Sequence, residues 1–366
     1  MEKGKISALQ MAMLLYPTIL ATAILSMPAI TAKYAGNDLW ISSTISSFIG
    51  FLTVYIAVRL HNIYPGKTAI QICEDIAGRI PGKVIGFIIL YFYIQSTGLI
   101  TRSYSEFIVS SFLFKTPQIV VISLMVLLCA FCIHGGLEVL GRAGQLLFPL
   151  LVVPLFAAIL FLARDFEFGN ILPVLDKGIV PPLKGSVAPA GWFAEFFLIA
   201  FLLPFLSDKK KGMKYGMTAV LSVMITIVFV DLLVLFVLGA TTANKVYPLM
   251  NVVRYAKLSG FFENMEAVVM AVWIVGAFVK ISVFYYAGVL GTAQWLNLSD
   301  YRPIIWPVGI FVVQFSFWAE ESMMDLTHYL VVVFPFFSVF VQVIIPALLL
   351  MIAFFRREKV RPKTQK

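Results

Sequence analysis

Charge is scarce in this chain: Asp, Glu, Lys and Arg make up 13% of its 366 residues, against about 25% in a soluble domain. No polar stretch is long enough to bury a core of its own, which excludes an appended nucleotide-binding or catalytic domain. Histidine and cysteine are thin too, three of each. His61, His134 and His328 are scattered at the ends of apolar runs, without metal-ligand spacing. There is no glycine loop to cradle phosphate and no nucleophile beside a base, so neither an enzyme, a metal nor a cofactor is expected. Cys73, Cys129 and Cys132 do not make a disulfide framework. Cys129 and Cys132 have C-x-x-C spacing, but on an apolar helix they share a face, and packing is their simplest role.

What the chain has in abundance is apolar residues, 60% of the total. They supply about ten helical spans of ~20 residues each, the mark of an all-α polytopic membrane protein. Hydropathy and the polar breaks place the spans at 8–32, 39–60, 84–113, 118–134, 145–163, 187–206, 213–240, 262–290, 303–319 and 327–355 of a single transmembrane domain, 1–366. The start, Met-Glu-Lys-Gly-Lys ahead of a long apolar segment, reads as a retained first helix. With both termini in the cytoplasm, the Lys and Arg residues of the connecting segments divide eighteen inside to eight outside, the distribution that the positive-inside rule requires. The basic tail, 356–366, then anchors the topology near anionic lipid. Its cations flank a span and do not alternate with aromatics, so nucleic acid is not a partner.

Two connections carry structure of their own. Ala69, Ile72, Cys73, Ile76 and Ile80 recur at helical spacing and predict a short helix on the cytoplasmic surface. The outer segment 164–189, rich in proline and glycine, predicts an ordered cap. Within the spans, Pro17 and Pro28 bracket a run of small and hydroxylated residues, and five spans later Pro189 and Pro204 bracket Glu195. Interrupted helices at corresponding places in two five-span halves, 8–163 and 187–355, point to an inverted repeat with a midplane binding site.

Ionisable residues at membrane depth are candidates for function. Glu195 lies midway along span six. Arg102 and Glu106, four apart, can pair along one helix face. Glu266 stands near the outer start of span eight, and Lys280 lies fourteen residues further on, about 21 Å along a helix. There Lys280 can brace span eight against a broken first helix, since a buried ammonium can stand in for a bound cation, or form an interhelical salt bridge with no direct ligand role. Asp231 in span seven has no sequence-local partner.

The segments Ala21-Thr-Ala-Ile-Leu-Ser-Met-Pro28, Thr101-Arg-Ser-Tyr-Ser-Glu106, Asn170-Ile-Leu-Pro-Val-Leu175, and Glu266 through Trp273 to Lys280 resemble the B subunit of GerA-type spore germination receptors, a family within the amino acid–polyamine–organocation superfamily. The resemblance covers nearly the whole chain. It implies a LeuT-like fold with broken helices 1 and 6, and a nutrient sensor in the inner membrane of a dormant bacterial spore. It also implies work alongside an A subunit with a large cytoplasmic domain and a lipoprotein C subunit on the outer side. By position it nominates Ala21, Thr22 and Ala23 in span one, Tyr91 and Gln95 in span three, Glu195 in span six and Lys280 in span eight as ligand contacts. Arg102, Glu106, Asp231 and Glu266 are left as structural or coupling charges. Where many members have Gly-x-Gly in the first break, this chain has Ala21-Thr22-Ala23, so that break is expected to be narrower.

A zwitterionic amino acid suits such a site, with backbone N–H groups for its carboxylate and Glu195 for its ammonium. A sugar can use the same groups. The sensor reading stands beside a proton-coupled amino acid symporter of the same fold, in which Glu195 or Asp231 titrates, and beside a purely structural subunit, because fold does not settle function.

Overall fold

The computed structural model describes residues 2–162, 166–255, 265–318 and 323–360, and these are all-helical. In a bilayer every backbone polar group needs an internal partner, and the helix provides one for each. The elements are α1 Ala8–Ala35, α2 Leu39–Ile63, α3 Ala69–Ala77, α4 Arg79–Ser111, α5 Gln118–His134, α6 Leu137–Leu162, α7 Val180–Gly185, α8 Val187–Ala194, α9 Ile199–Leu202, α10 Gly212–Leu238, α11 Pro248–Tyr255, α12 Met265–Trp295, α13 Arg302–Trp318, α14 Met323–His328, α15 Phe334–Val339 and α16 Ile345–Val360. Seven helical stretches of the described residues are long and apolar enough to cross a membrane, and the first, Ala8–Ile63, holds both α1 and α2. α5 is apolar but shorter, at 17 residues.

α1 is the central post, packed by α2, α6, α10 and α12. Its flanks are tight: a Cβ on Gly276 of α12 would stand 3.2 Å from that of Ala21. α4 packs on α12 and α13, and Gly98 permits the second approach, since a Cβ there would fall 2.7 Å from the Cβ of Phe315. α3 forms over Ala69–Ala77, burying Ile70, Ile72, Cys73 and Ile76, whereas Ile80, expected on the same face, falls beyond Gly78 in α4 and is exposed. The proline-rich segment predicted as a cap is described from residue 166 on, Arg164 and Asp165 lying outside the described residues, and it is held to the start of α2. Leu175 N–H donates to the Asp38 carboxylate at 3.0 Å, and Asn37 Nδ2 donates to the Leu172 carbonyl at 2.9 Å.

The expected break in the first span is absent, and this corrects the sequence reading. α1 runs helical through both Pro17 and Pro28. Alanine is the best helix former, and Ala21-Thr22-Ala23 lacks the glycine that would let the backbone leave the helix. Thr18 Oγ1 donates back to the Leu14 carbonyl at 2.6 Å, and Thr31 Oγ1 to that of Met27 at 2.9 Å, so the hydroxyls serve the continuous helix.

The sixth span does change character, and it does so at Glu195. α8 tightens there into a 3₁₀ turn, Glu195–Leu198, resumes as α9, and tightens again over Leu203–Phe205, where Pro204 removes a donor. The Glu195 N–H reaches the Trp192 carbonyl, one residue short of the α-helical acceptor, Gly191. Ser338 Oγ takes up that freed carbonyl at 2.7 Å. Gln342 Nε2 donates to Ser338 Oγ at 2.8 Å and Tyr93 OH donates to Gln342 Oε1 at 2.9 Å, a buried relay from α4 through the last span to the turn. That last span is itself irregular, with π-helical turns at Tyr329–Val333 and Phe340–Ile344 on either side of α15.

At one end of the bundle the first residues form a strap. Ile6 N–H donates to the Phe205 carbonyl at 3.1 Å, and Ser207 N–H returns a bond to Ile6 at 2.9 Å. The Glu2 carboxylate accepts from Leu137 N–H at 2.9 Å and from Tyr301 OH at 3.1 Å. Arg356 bonds the Ile76 carbonyl of α3 at the same end, so both described ends of the chain lie on one side.

Candidate functional site

A cavity of about 320 Å³ lies in the half of the bundle remote from the strap. Its walls come from the later turns of α1 (Thr22, Ser26, Lys33), the second half of α4 (Ser96, Ser103), residues 243–247 after α10, and residues 326–334 around the first π turn. Trp192 and Glu195 line it from the α8 segment, where the helix tightens.

The nominated residues divide. Of the α1 triplet, Thr22 lines the cavity and accepts a hydrogen bond from Trp192 Nε1 at 3.0 Å. Ala21 turns into a separate apolar crevice beside Gly276, and Ala23 is core. Glu195 lines the cavity. Lys280 lies behind it, with Nζ 2.6 Å from Glu195 Oε2 and both side chains essentially inaccessible. Its ammonium also sits 5.3 Å from the Phe284 ring centroid. Lys280 therefore braces α12 against the tightened sixth span, not against α1, because α1 never opens to offer it carbonyls.

Gln95 reaches the site indirectly, donating to the hydroxyl of Tyr329, which lines the cavity. Tyr91 is 42% exposed and its ring packs on Phe315 and Phe337, away from the cavity. The cavity face of α4 instead carries Ser96, Leu99, Ile100 and Ser103, the same helical spacing shifted by one residue. Ser96 is the residue that sequence reasoning missed: its Oγ is buried and finds no partner among the described residues.

Arg102 and Glu106 pair at 2.7 Å, as their spacing predicts. Asp231 is fully buried, bonded to Ser43, and outside the cavity. Glu266 lies in α12, with its side chain outside the described residues. Among the described residues no group of His, Cys, Asp and Glu could hold a metal ion.

The arrangement is dipolar. The acidic group is deep, at Glu195, while Lys33 and Lys245 stand toward the mouth, Lys33 exposed and Lys245 half-buried. Hydroxyls of Thr22, Ser26, Ser96 and Ser103 lie between, on walls otherwise lined by Leu25, Leu99, Ile100 and Phe334. Apolar walls with a few placed polar groups, an ion-paired carboxylate at the deep end and cations toward the mouth suit a small polar molecule.

A sequence profile of the spore permease family, described as spore germination protein, matches residues 5–324. Spore germination protein KB of Bacillus subtilis (strain 168) is 24% identical over 98% of this chain and 97% of its own. Spore germination protein A2 of the same organism is 24% identical over 83% of this chain and 84% of its own. A Na⁺-coupled sialic acid symporter, solved in a substrate-bound outward-open state, superposes with a TM-score of 0.68 at 13% identity, over 93% of this chain and 80% of its own. Mhp1, a nucleobase-cation-symport-1 family transporter in a closed conformation, gives 0.67 at 10% identity, over 98% and 80%. The architecture shared with these transporters is the LeuT fold.

Proposed function

The chain belongs to the spore germination permease family, and on that premise we propose that it is the nutrient-sensing membrane subunit of a spore germination receptor, with its ligand site in the cavity between α1, α4, the tightened sixth span and the last span. It is a multi-pass membrane protein of permease type and not an enzyme. The reading takes the ten crossings as two inverted five-span halves, with both termini in the cytoplasm and the chain in the spore inner membrane. Its partners are the A and C subunits, which read its conformation and permit ion release.

The observation that carries the proposal is the dipolar cavity. An amino acid placed with its ammonium toward Glu195 and its carboxylate toward Lys33 and Lys245 meets carboxylate acceptors at one end, their charge balanced by Lys280 behind, and cations at the other. The Glu195 carboxylate keeps acceptor sites beyond the oxygen that Lys280 uses. Ser96 Oγ, buried without a partner among the described residues, gains one from the ligand. Binding shifts the receptor only if one conformation holds the ligand better than another. The 3₁₀ turn at Glu195 and the π turn at Tyr329 are the wall segments whose hydrogen bonding can change register.

The test is retention of a labelled amino-acid panel by proteoliposomes holding the purified chain, with and without an imposed proton gradient. Ser26→Trp, which fills the cavity from a half-buried position, is the comparison. Saturation near one solute per chain, lost in Ser26→Trp, supports a sensor. Accumulation far beyond one per chain that collapses with the gradient makes the chain a working symporter instead. Retention unaffected by Ser26→Trp overturns the site.

A further inference from the structure

Asp231 lies within α10, fully buried and apart from the cavity. Ser43 of α2 places its Oγ 2.6 Å from Asp231 Oδ2, and the same Oγ lies 3.8 Å from Sδ of Met27 on α1. Asp231 Oδ1 has no partner among the described residues. The titratable and charged groups on the neighbouring elements are engaged elsewhere or stand toward the helix ends. On α1, Tyr16 bonds Thr226 at 2.8 Å and Lys33 lines the cavity. Beside α2, Asp38 accepts from Leu175 N–H, Arg59 lies over the Tyr55 ring, and His61 is in the last turn. On α11, Arg254 is exposed, and Lys209, Lys210 and Lys211 precede α10. None of them bonds Asp231.

The hydrogens of this chain of contacts can be counted. Ser43 has one hydroxyl hydrogen but two acceptors beside it, Asp231 Oδ2 and Met27 Sδ. With an ionised Asp231, one of those contacts lacks a hydrogen and a buried anionic oxygen has no donor among the described residues, a costly arrangement at membrane depth. With a neutral acid, the Oδ2 proton goes to Ser43 Oγ, the Ser43 proton points to Met27 Sδ, and Oδ1 is an ordinary carbonyl.

We propose that Asp231 is a proton-binding site, occupied in this conformation by a proton held on Asp231 and hydrogen-bonded to Ser43 Oγ, and released to water when α10 parts from α1 and α2. The proton is a ligand separate from whatever fills the cavity, and this inference stands whether or not the nutrient reading holds. Because the packed conformation alone retains the proton, raising the pH favours the parted one.

The test is the infrared spectrum of the full chain in lipid vesicles at neutral pH, with ¹³C-labelled aspartate marking the bands. The expected result is a carboxylic acid C=O stretch that disappears in Asp231→Asn, persists in Glu195→Gln and is indifferent to Na⁺ and K⁺. Ser43→Ala should shift that band without abolishing it, since the hydrogen-bond acceptor goes and the proton stays. This variant carries the test if Asp231→Asn does not fold. A spectrum without an Asp231-dependent acid band overturns the proposal, as does a band that appears only when alkali cations are removed, or one that Ser43→Ala leaves in place.

Discussion

Replacing Lys280 by methionine leaves Glu195 buried with no counter-charge. At 2.6 Å the pair is worth about 6 kcal/mol by Coulomb's law at an effective dielectric of about 20, set against the cost of taking both ions out of water. Breaking a buried pair from one side loses about 3–5 kcal/mol, while replacing both partners by neutral groups of similar shape is close to neutral. The prediction is therefore a cycle of four proteins: parent, Lys280→Met, Glu195→Gln and the double variant. Each single change should cost about 3–5 kcal/mol, and the double variant should lie within about 2 kcal/mol of the parent. Equilibrium unfolding in mixed micelles, followed by tryptophan fluorescence, reads the differences. Additive losses, with the double variant as weak as the sum of the singles, would refute the reasoning, because they would mean that neither charge depends on the other.

Trp192→Phe should remove the bond to Thr22 at a cost of about 1 kcal/mol while weakening ligand retention more than stability, as binding titration and unfolding on one sample will show. Gly98→Leu forces apart α4 and α13, where even a Cβ falls 2.7 Å from Phe315. An overpacking loss of about 1–3 kcal/mol or more should appear as a lowered melting temperature. Burial pushes the Cys73 thiol up to about 12, so iodoacetamide at about pH 8 should leave it unmodified in the folded chain and alkylate it after unfolding, read by mass spectrometry.

Composition and periodicity carry the helical class, because a bilayer admits few alternatives to the helix. They carry α3 as well, since Ile72, Cys73 and Ile76 repeat at helical spacing and are buried where expected. Arg102 and Glu106 were legible because their pairing is local. Phase was not: Tyr91–Gln95 and Ser96–Ser103 have equally helical spacing, and only the positions of α13 and the last span decide which row faces the cavity. The two prolines of α1 suggested a break that tertiary packing and alanine propensity suppress, whereas the change at Glu195 depends on Ser338, 147 positions from the carbonyl it bonds. The partner of Lys280 was remote too, 85 positions away.

The strap gives the chain a fixed order of completion. Glu2 is made well before Tyr301, one of its anchors, which follows 299 positions later. Contacts of such separation form late, after the intervening helices are in place. Glu2 thus docks only after elements made much later, and closure of that end reports that they are present. A tag fused ahead of Glu2 would burden this final step, while one placed after Arg356 would not.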